Sequence, residues 1–168
     1  MYYNGQSGPY YHTPHFINLG LEDIDIDVTG GSGATSIEVG GLFGNNHRGD
    51  VTVNNCYITG SIKAESKNVY AGGFAGITSG YNPCGKMALT DSYNDADVYA
   101  KTVTYEGFLE GFIIEAGSAS IGGLVGCGTD VYRVTNCHNF GNITSDSTGA
   151  SSAGGLLGFG FVYEVDKV

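Results

Sequence analysis

Asp91, Asp95 and Asp97 fall within DSYNDADV, a dense acidic group on a strand-like segment of the chain. Paired carboxylates cleave glycosidic bonds, one as general acid and the other as base or nucleophile. A β-helix polysaccharide lyase or glycosidase would set Arg, Lys or Tyr beside them on one face. Here Lys and Arg total seven, and Arg48 and Arg133 are the only arginines. A lyase-type basic cluster is therefore hard to assemble. The sequence has no HExxH zinc-peptidase motif, no GxSxG nucleophile elbow and no Gly-x4-Gly-Lys-Ser/Thr phosphate loop. A carbohydrate-active enzyme using Asp91, Asp95 and Asp97 stands as the alternative reading.

Other residue sets suggest other chemistry. Arg48, Gly49 and Asp50 spell the Arg-Gly-Asp tripeptide that integrins read on an exposed turn. The plainer reading is that Asp50 ends a turn, because Asp130-Val131 repeats the position without Arg-Gly. Asp23, Asp25 and Asp27 alternate with Ile24, Ile26 and Val28. Such a row could offer oxygens to Ca²⁺, but a solvated outer face that discourages edge pairing fits it better. Tyr2, Tyr3, Tyr10 and Tyr11, with His12 and His15, could stack on sugars or hold a metal; a lead-in to the first coil is the expectation. Asn142-Ile143-Thr144 is a glycosylation acceptor only in a eukaryotic secretory route. Tyr105, Phe108, Leu109, Phe112 and Ile113 follow one helical face of segment 102–118, although Gly107 and Gly111 weaken a helix there. That segment has no counterpart elsewhere in the chain. It is expected to pack sideways and to offer a projecting contact surface.

The elements that position these residues are repeats. GGLFG, GGFAG, GGLVG and GGLLG begin at Gly40, Gly72, Gly122 and Gly154, so the intervals are 32, 50 and 32 residues. Their glycines are Gly40, Gly41, Gly44, Gly72, Gly73, Gly76, Gly122, Gly123, Gly126, Gly154, Gly155 and Gly158. A fixed period with one enlarged copy indicates stacked units. A second motif follows the first three copies: NCYITGSI (55–62), DSYNDADV (91–98) and NCHNFGNI (136–143). Alternating runs at 51–54, 86–90 and 131–135 precede it and read as strands. The pattern predicts an all-β parallel solenoid of three to four coils, right-handed by the general connection rule. Coils are expected at 37–71, 72–121 with the insertion, and 122–153, flanked by a lead-in and degenerate coil (1–36) and a partial coil (154–168). Leu42, Phe74, Leu124 and Leu156 should stack inward. The glycines should either adopt φ > 0 or admit a neighbouring backbone.

The repeated GGLFG, GGFAG, GGLVG and GGLLG, with NCYITGSI and NCHNFGNI downstream, resemble the GLUG-motif repeat over roughly residues 37–162. In the second copy Ala75 replaces the bulkier hydrophobic residue. The resemblance implies β-helix coils in a large secreted or surface-anchored bacterial protein. Adhesin-like proteins and the non-catalytic region of IgA-cleaving metallopeptidases carry such coils. It implies a non-catalytic stalk or binding module, with a host or matrix protein or a glycan as partner.

Bulk properties agree with that class. The net charge of −10 argues against nucleic acid. No apolar run approaches a membrane span. The start has no signal-peptide pattern, so the segment reads as part of a longer chain with further domains. No cofactor and no metal site are expected, since no CxxC occurs. Cys56 and Cys137 share a repeat position with Ser92 between them, too far apart to bridge, and read as buried thiols. Cys84 and Cys127 precede strands on adjacent coils and could bridge.

Overall fold

The computed structural model describes residues 13–31, 35–46, 49–78, 86–104 and 116–166. Short alternating segments bury one face only, and none can do so alone. Each therefore lies on the equivalent segment of the next repeat. The first coil is β1 (His15–Ile17), β2 (Gly20–Thr29), β3 (Ser36–Gly40) and β4 (Phe43–Asn46). The second is β5 (Val51–Asn54), β6 (Tyr57–Ser66), β7 (Asn68–Gly72) and β8 (Ala75–Thr78). The third is β9 (Met87–Thr90), β10 (Tyr93–Thr102), β11 (Ser118–Gly122) and the start of β12 (Val125–Thr135). The rest of β12, β13 (His138–Asn139), β14 (Ile143–Asp146), β15 (Ser151–Gly154) and the start of β16 (Leu157–Asp166) complete a fourth. All strand pairings among the described residues are parallel: β2–β6–β10–β13/β14 form one side and β3–β7–β11–β15 another. The chain is a parallel β-solenoid. No helix occurs among the described residues.

The corners show why the glycine motif recurs. Leu42 N–H donates to the Phe74 carbonyl at 3.0 Å, Phe74 N–H to Leu124 at 2.9 Å, and Leu124 N–H to Leu156 at 2.9 Å. Phe74 and Leu124 are fully buried, and Leu42 and Leu156 pack against the same core. Burying each such side chain is worth about 1.5–3 kcal/mol. Of the two roles expected for the glycines, close approach is the one used. Positive φ among described glycines occurs at Gly49, Gly60 and Gly160, none of them in the motif. A Cβ on Gly73 would lie 2.3 Å from the Gly123 oxygen and 2.4 Å from Asn94 Oδ1; one on Gly123 would lie 2.0 Å from the Gly155 oxygen and 2.3 Å from Asn139 Cγ. The second glycine thus makes room for the fourth residue of the downstream motif, and the two motifs meet across the core.

The corner between the first and second strand of each coil holds a different device. Asn18, Asn55, Asp91 and Asn136 all have φ near +50° (56, 50, 49 and 51°). Asn and Asp tolerate this left-handed conformation better than other side chains. Asn55 Nδ2 donates to Asn18 Oδ1 at 2.6 Å, and Asn136 Nδ2 to Asp91 Oδ1 at 2.7 Å. Asp91 therefore belongs to a corner and not to a strand, because the left-handed turn ends β9 before β10 begins. Asp23 also leaves its expected alternation. It sits in a bulge at φ 52°, where the β2–β6 register shifts between Leu21 and Ile24.

The cysteines follow the stack. Cys56 and Cys137 are buried free thiols, with the Ser92 hydroxyl accepting from Cys56 N–H at 3.0 Å. Cys127 is a free thiol, so the Cys84–Cys127 bridge is not formed. Cys127 lies in register between Ile77 and Phe159, with apolar neighbours on both sides. Cys84 lies outside the described residues.

Candidate functional site

Among the described residues, the outer face of β2, β6, β10, β13 and β14 carries a group of aromatic rings in contact with one another. β6 and β10 pair over ten residues without a shift, so every second side chain forms a straight outward column. Inward positions carry Ile62 and Val98, both buried. The third residue of the downstream motif points out in each copy: Tyr57, Tyr93 and His138 share one rung position. Tyr57 and Tyr93 stack with centroids 5.3 Å apart and planes 7° apart. Tyr93 meets Phe140 edge-on at 5.9 Å, and Phe140 stacks with His138 at 5.9 Å. Gly20 lies beneath the Tyr57 ring, where a Cβ would come within 2.3 Å of it. Phe140 is 67% exposed and Tyr93 36%.

Carboxylates flank this row of rings. The Tyr57 hydroxyl donates to Glu22 Oε1. That hydrogen bond and the Glu22 charge raise the Tyr57 phenol above its ordinary value. Ser61 Oγ donates to Asp25 Oδ1 at 2.9 Å. Asp97 Oδ1 accepts from both Asn142 N–H at 2.8 Å and Asn142 Nδ2 at 2.9 Å. Asp95 is exposed, next to Thr59 in register, and among the described residues no hydrogen bond or ion pair engages its carboxylate. Farther along the same face, Asp27, Lys63, Ala64, Glu65 and Tyr99 line a shallow hollow of about 120 Å³. Lys101 Nζ donates to Glu65 Oε2 at 3.2 Å, which raises the Lys101 ammonium above its usual value.

The three aspartates singled out for catalysis are thus separated by role. Asp91 holds a corner, Asp97 holds the backbone of the fourth coil, and Asp95 is an open acceptor beside the rings. Among the described residues no group of three His, Cys, Asp or Glu is placed to hold a metal. Of the tripeptide, Gly49 is buried at φ 89°, Asp50 Oδ1 accepts from Lys86 N–H at 3.0 Å, and Arg48 lies outside the described residues. Asp50 ends a turn by tying it to β9. A smaller exposed group occurs on another side, where Lys86 Nζ lies 5.0 Å from the Tyr132 ring centroid and Arg133 lies 5.7 Å from it.

No family model, curated protein or solved structure matches the chain. The site is therefore read from its own geometry. Tyr105, Phe108, Leu109 and Phe112, proposed as a contact surface, lie outside the described residues, as do Tyr2 to His12; His15 is exposed on β1. The ring platform was missed in the sequence. Its signal was there, because the third position of the downstream motif is aromatic or His in every copy.

Proposed function

We propose that the chain is a non-catalytic binding module of a secreted or cell-surface bacterial protein. Its contact surface is the outer face of β2, β6, β10, β13 and β14. One observation carries the reading: Tyr57, Tyr93, His138 and Phe140 form a continuous row of rings on the outside of the stack. Exposed rings in contact with one another across coils contribute little to the core, yet they present a large rigid surface to a ligand. The extracellular bacterial setting rests on the GLUG-like motifs. The separate duties of Asp91 and Asp97 favour binding over hydrolysis, since a glycosidase needs two carboxylates free to act on one bond. The test is retention of the protein on immobilised polysaccharides and mucin-type glycoproteins, with new reducing or unsaturated ends measured in the same samples. Retention without product, lost in Tyr93→Ala and Phe140→Ala, is the expected result. Product formation abolished by Asp95→Ala would replace the binding reading with the enzyme.

A further inference from the structure

We propose that the ring platform takes a neutral glycan whose chain runs along the solenoid axis, across the strands. The inference rests on the binding reading above and adds the ligand's chemical class. The rings succeed one another from coil to coil, at centroid distances of 5.3 and 5.9 Å. A ligand that covers them must be extended and must offer apolar faces in succession. Pyranose rings do so, because their C–H groups form successive apolar patches that can lie along the outward surface of the ring row.

The polar groups beside the rings select among glycans. Glu22, Asp95 and Asp97 are carboxylates, and Thr59 and Ser61 are hydroxyls. Ionised carboxylates only accept hydrogen bonds. Sugar hydroxyls donate them. Asp95 is the acceptor left unengaged, and in register it lies between Thr59 and the rung of Phe140. The nearest described cations on this face, Lys63 and Lys101, follow Tyr57 and Tyr93 by six and eight residues, about 20 and 26 Å along the strands. A uronate or sulfated polymer lying on the rings would meet carboxylates of its own sign on a chain of net charge −10.

Affinity electrophoresis of the full chain through gels cast with neutral glucan, xylan, mannan and galactan, and separately with polygalacturonate and heparin, tests the class. Albumin-type and enzymatically deglycosylated mucin-type proteins serve as protein ligands. Retardation by at least one neutral polymer is expected, unchanged when salt is raised. Phe140→Ala and Tyr93→Ala should each weaken it about tenfold. Asp95→Asn, nearly isosteric, should weaken it while leaving the urea midpoint unchanged. Retardation only by the acidic polymers, or only by the deglycosylated protein, and still dependent on Phe140, would overturn the neutral-glycan class and leave the binding face standing. Retardation indifferent to both ring variants would overturn the face itself. No retardation by any neutral polymer would overturn the class.

Discussion

Replacing Gly123 and Gly155 by alanine, one at a time, probes the reason for the repeated glycine pair. Both are the second glycine of a copy, and neither has positive φ. At Gly123 the new Cβ would lie 2.0 Å from the Gly155 oxygen and 2.3 Å from Asn139 Cγ, whereas nothing lies within 4 Å at Gly155. Ordinary contact begins near 3.4 Å, so the third and fourth coils must part by more than an ångström at this corner. The bonds from Gly123 N–H to Gly154 (3.1 Å) and from Leu124 N–H to Leu156 (2.9 Å) would then exceed hydrogen-bonding range. Two such bonds at about 0.5–1.5 kcal/mol each, with about 1–3 kcal/mol of overpacking, give a loss of about 2–6 kcal/mol for Gly123→Ala. Gly155→Ala should stay within about 0.5 kcal/mol, or gain slightly as the unfolded chain loses freedom. Urea unfolding followed by far-ultraviolet circular dichroism, with matched slopes, measures both. Equal losses, or a loss below about 1 kcal/mol at Gly123, would refute close approach as the reason for the motif.

Three further outcomes are expected. Phe74→Ala should lose about 3–5 kcal/mol in the same unfolding assay, because a fully buried ring leaves a cavity between coils. Asp91→Asn should leave stability unchanged, since the left-handed turn and the bond from Asn136 both persist; Asp91→Ala should lose about 1–2 kcal/mol. Burial pushes the Cys137 and Cys127 thiols above their ordinary values. The folded chain therefore holds thiol protons that the unfolded chain releases. Stability should be full below the unfolded thiol value and decline as pH rises toward the folded one, while Cys137→Ser should flatten that alkaline decline. A pH series of urea midpoints checks it.

The coil architecture was legible because the glycine pairs and the alternating runs recur in phase. Leu42, Phe74, Leu124 and Leu156 sit on the inward column their spacing required. What joins the motifs was not legible. Gly73 and Asn94 lie 21 residues apart, and only the path of the chain around a coil brings them into contact. The left-handed corner was hidden for another reason. Asn55, Asp91 and Asn136 open the downstream motif in plain view, yet residue type alone does not separate a turn from the first position of a strand. That ambiguity moved Asp91 onto a strand. The glycine beneath Tyr57 belongs to the degenerate first coil, where Gly20 matches neither repeat motif, so the support of the ring platform could not be read from the repeats.

The hydrogen bonds between rungs run along the solenoid axis and join only neighbouring coils. Tension applied at the two ends would load those bonds one rung at a time, and the molecule would come apart by peeling. Equivalent rungs are 36 residues apart from Tyr57 to Tyr93 and 45 apart from Tyr93 to His138. The released lengths would be about 120 and about 150 Å, taking about 3.4 Å per extended residue. A ligand lying across Tyr57, Tyr93 and Phe140 spans three coils. It would clamp them together, so occupancy would raise the force needed to begin unravelling from either end of that span.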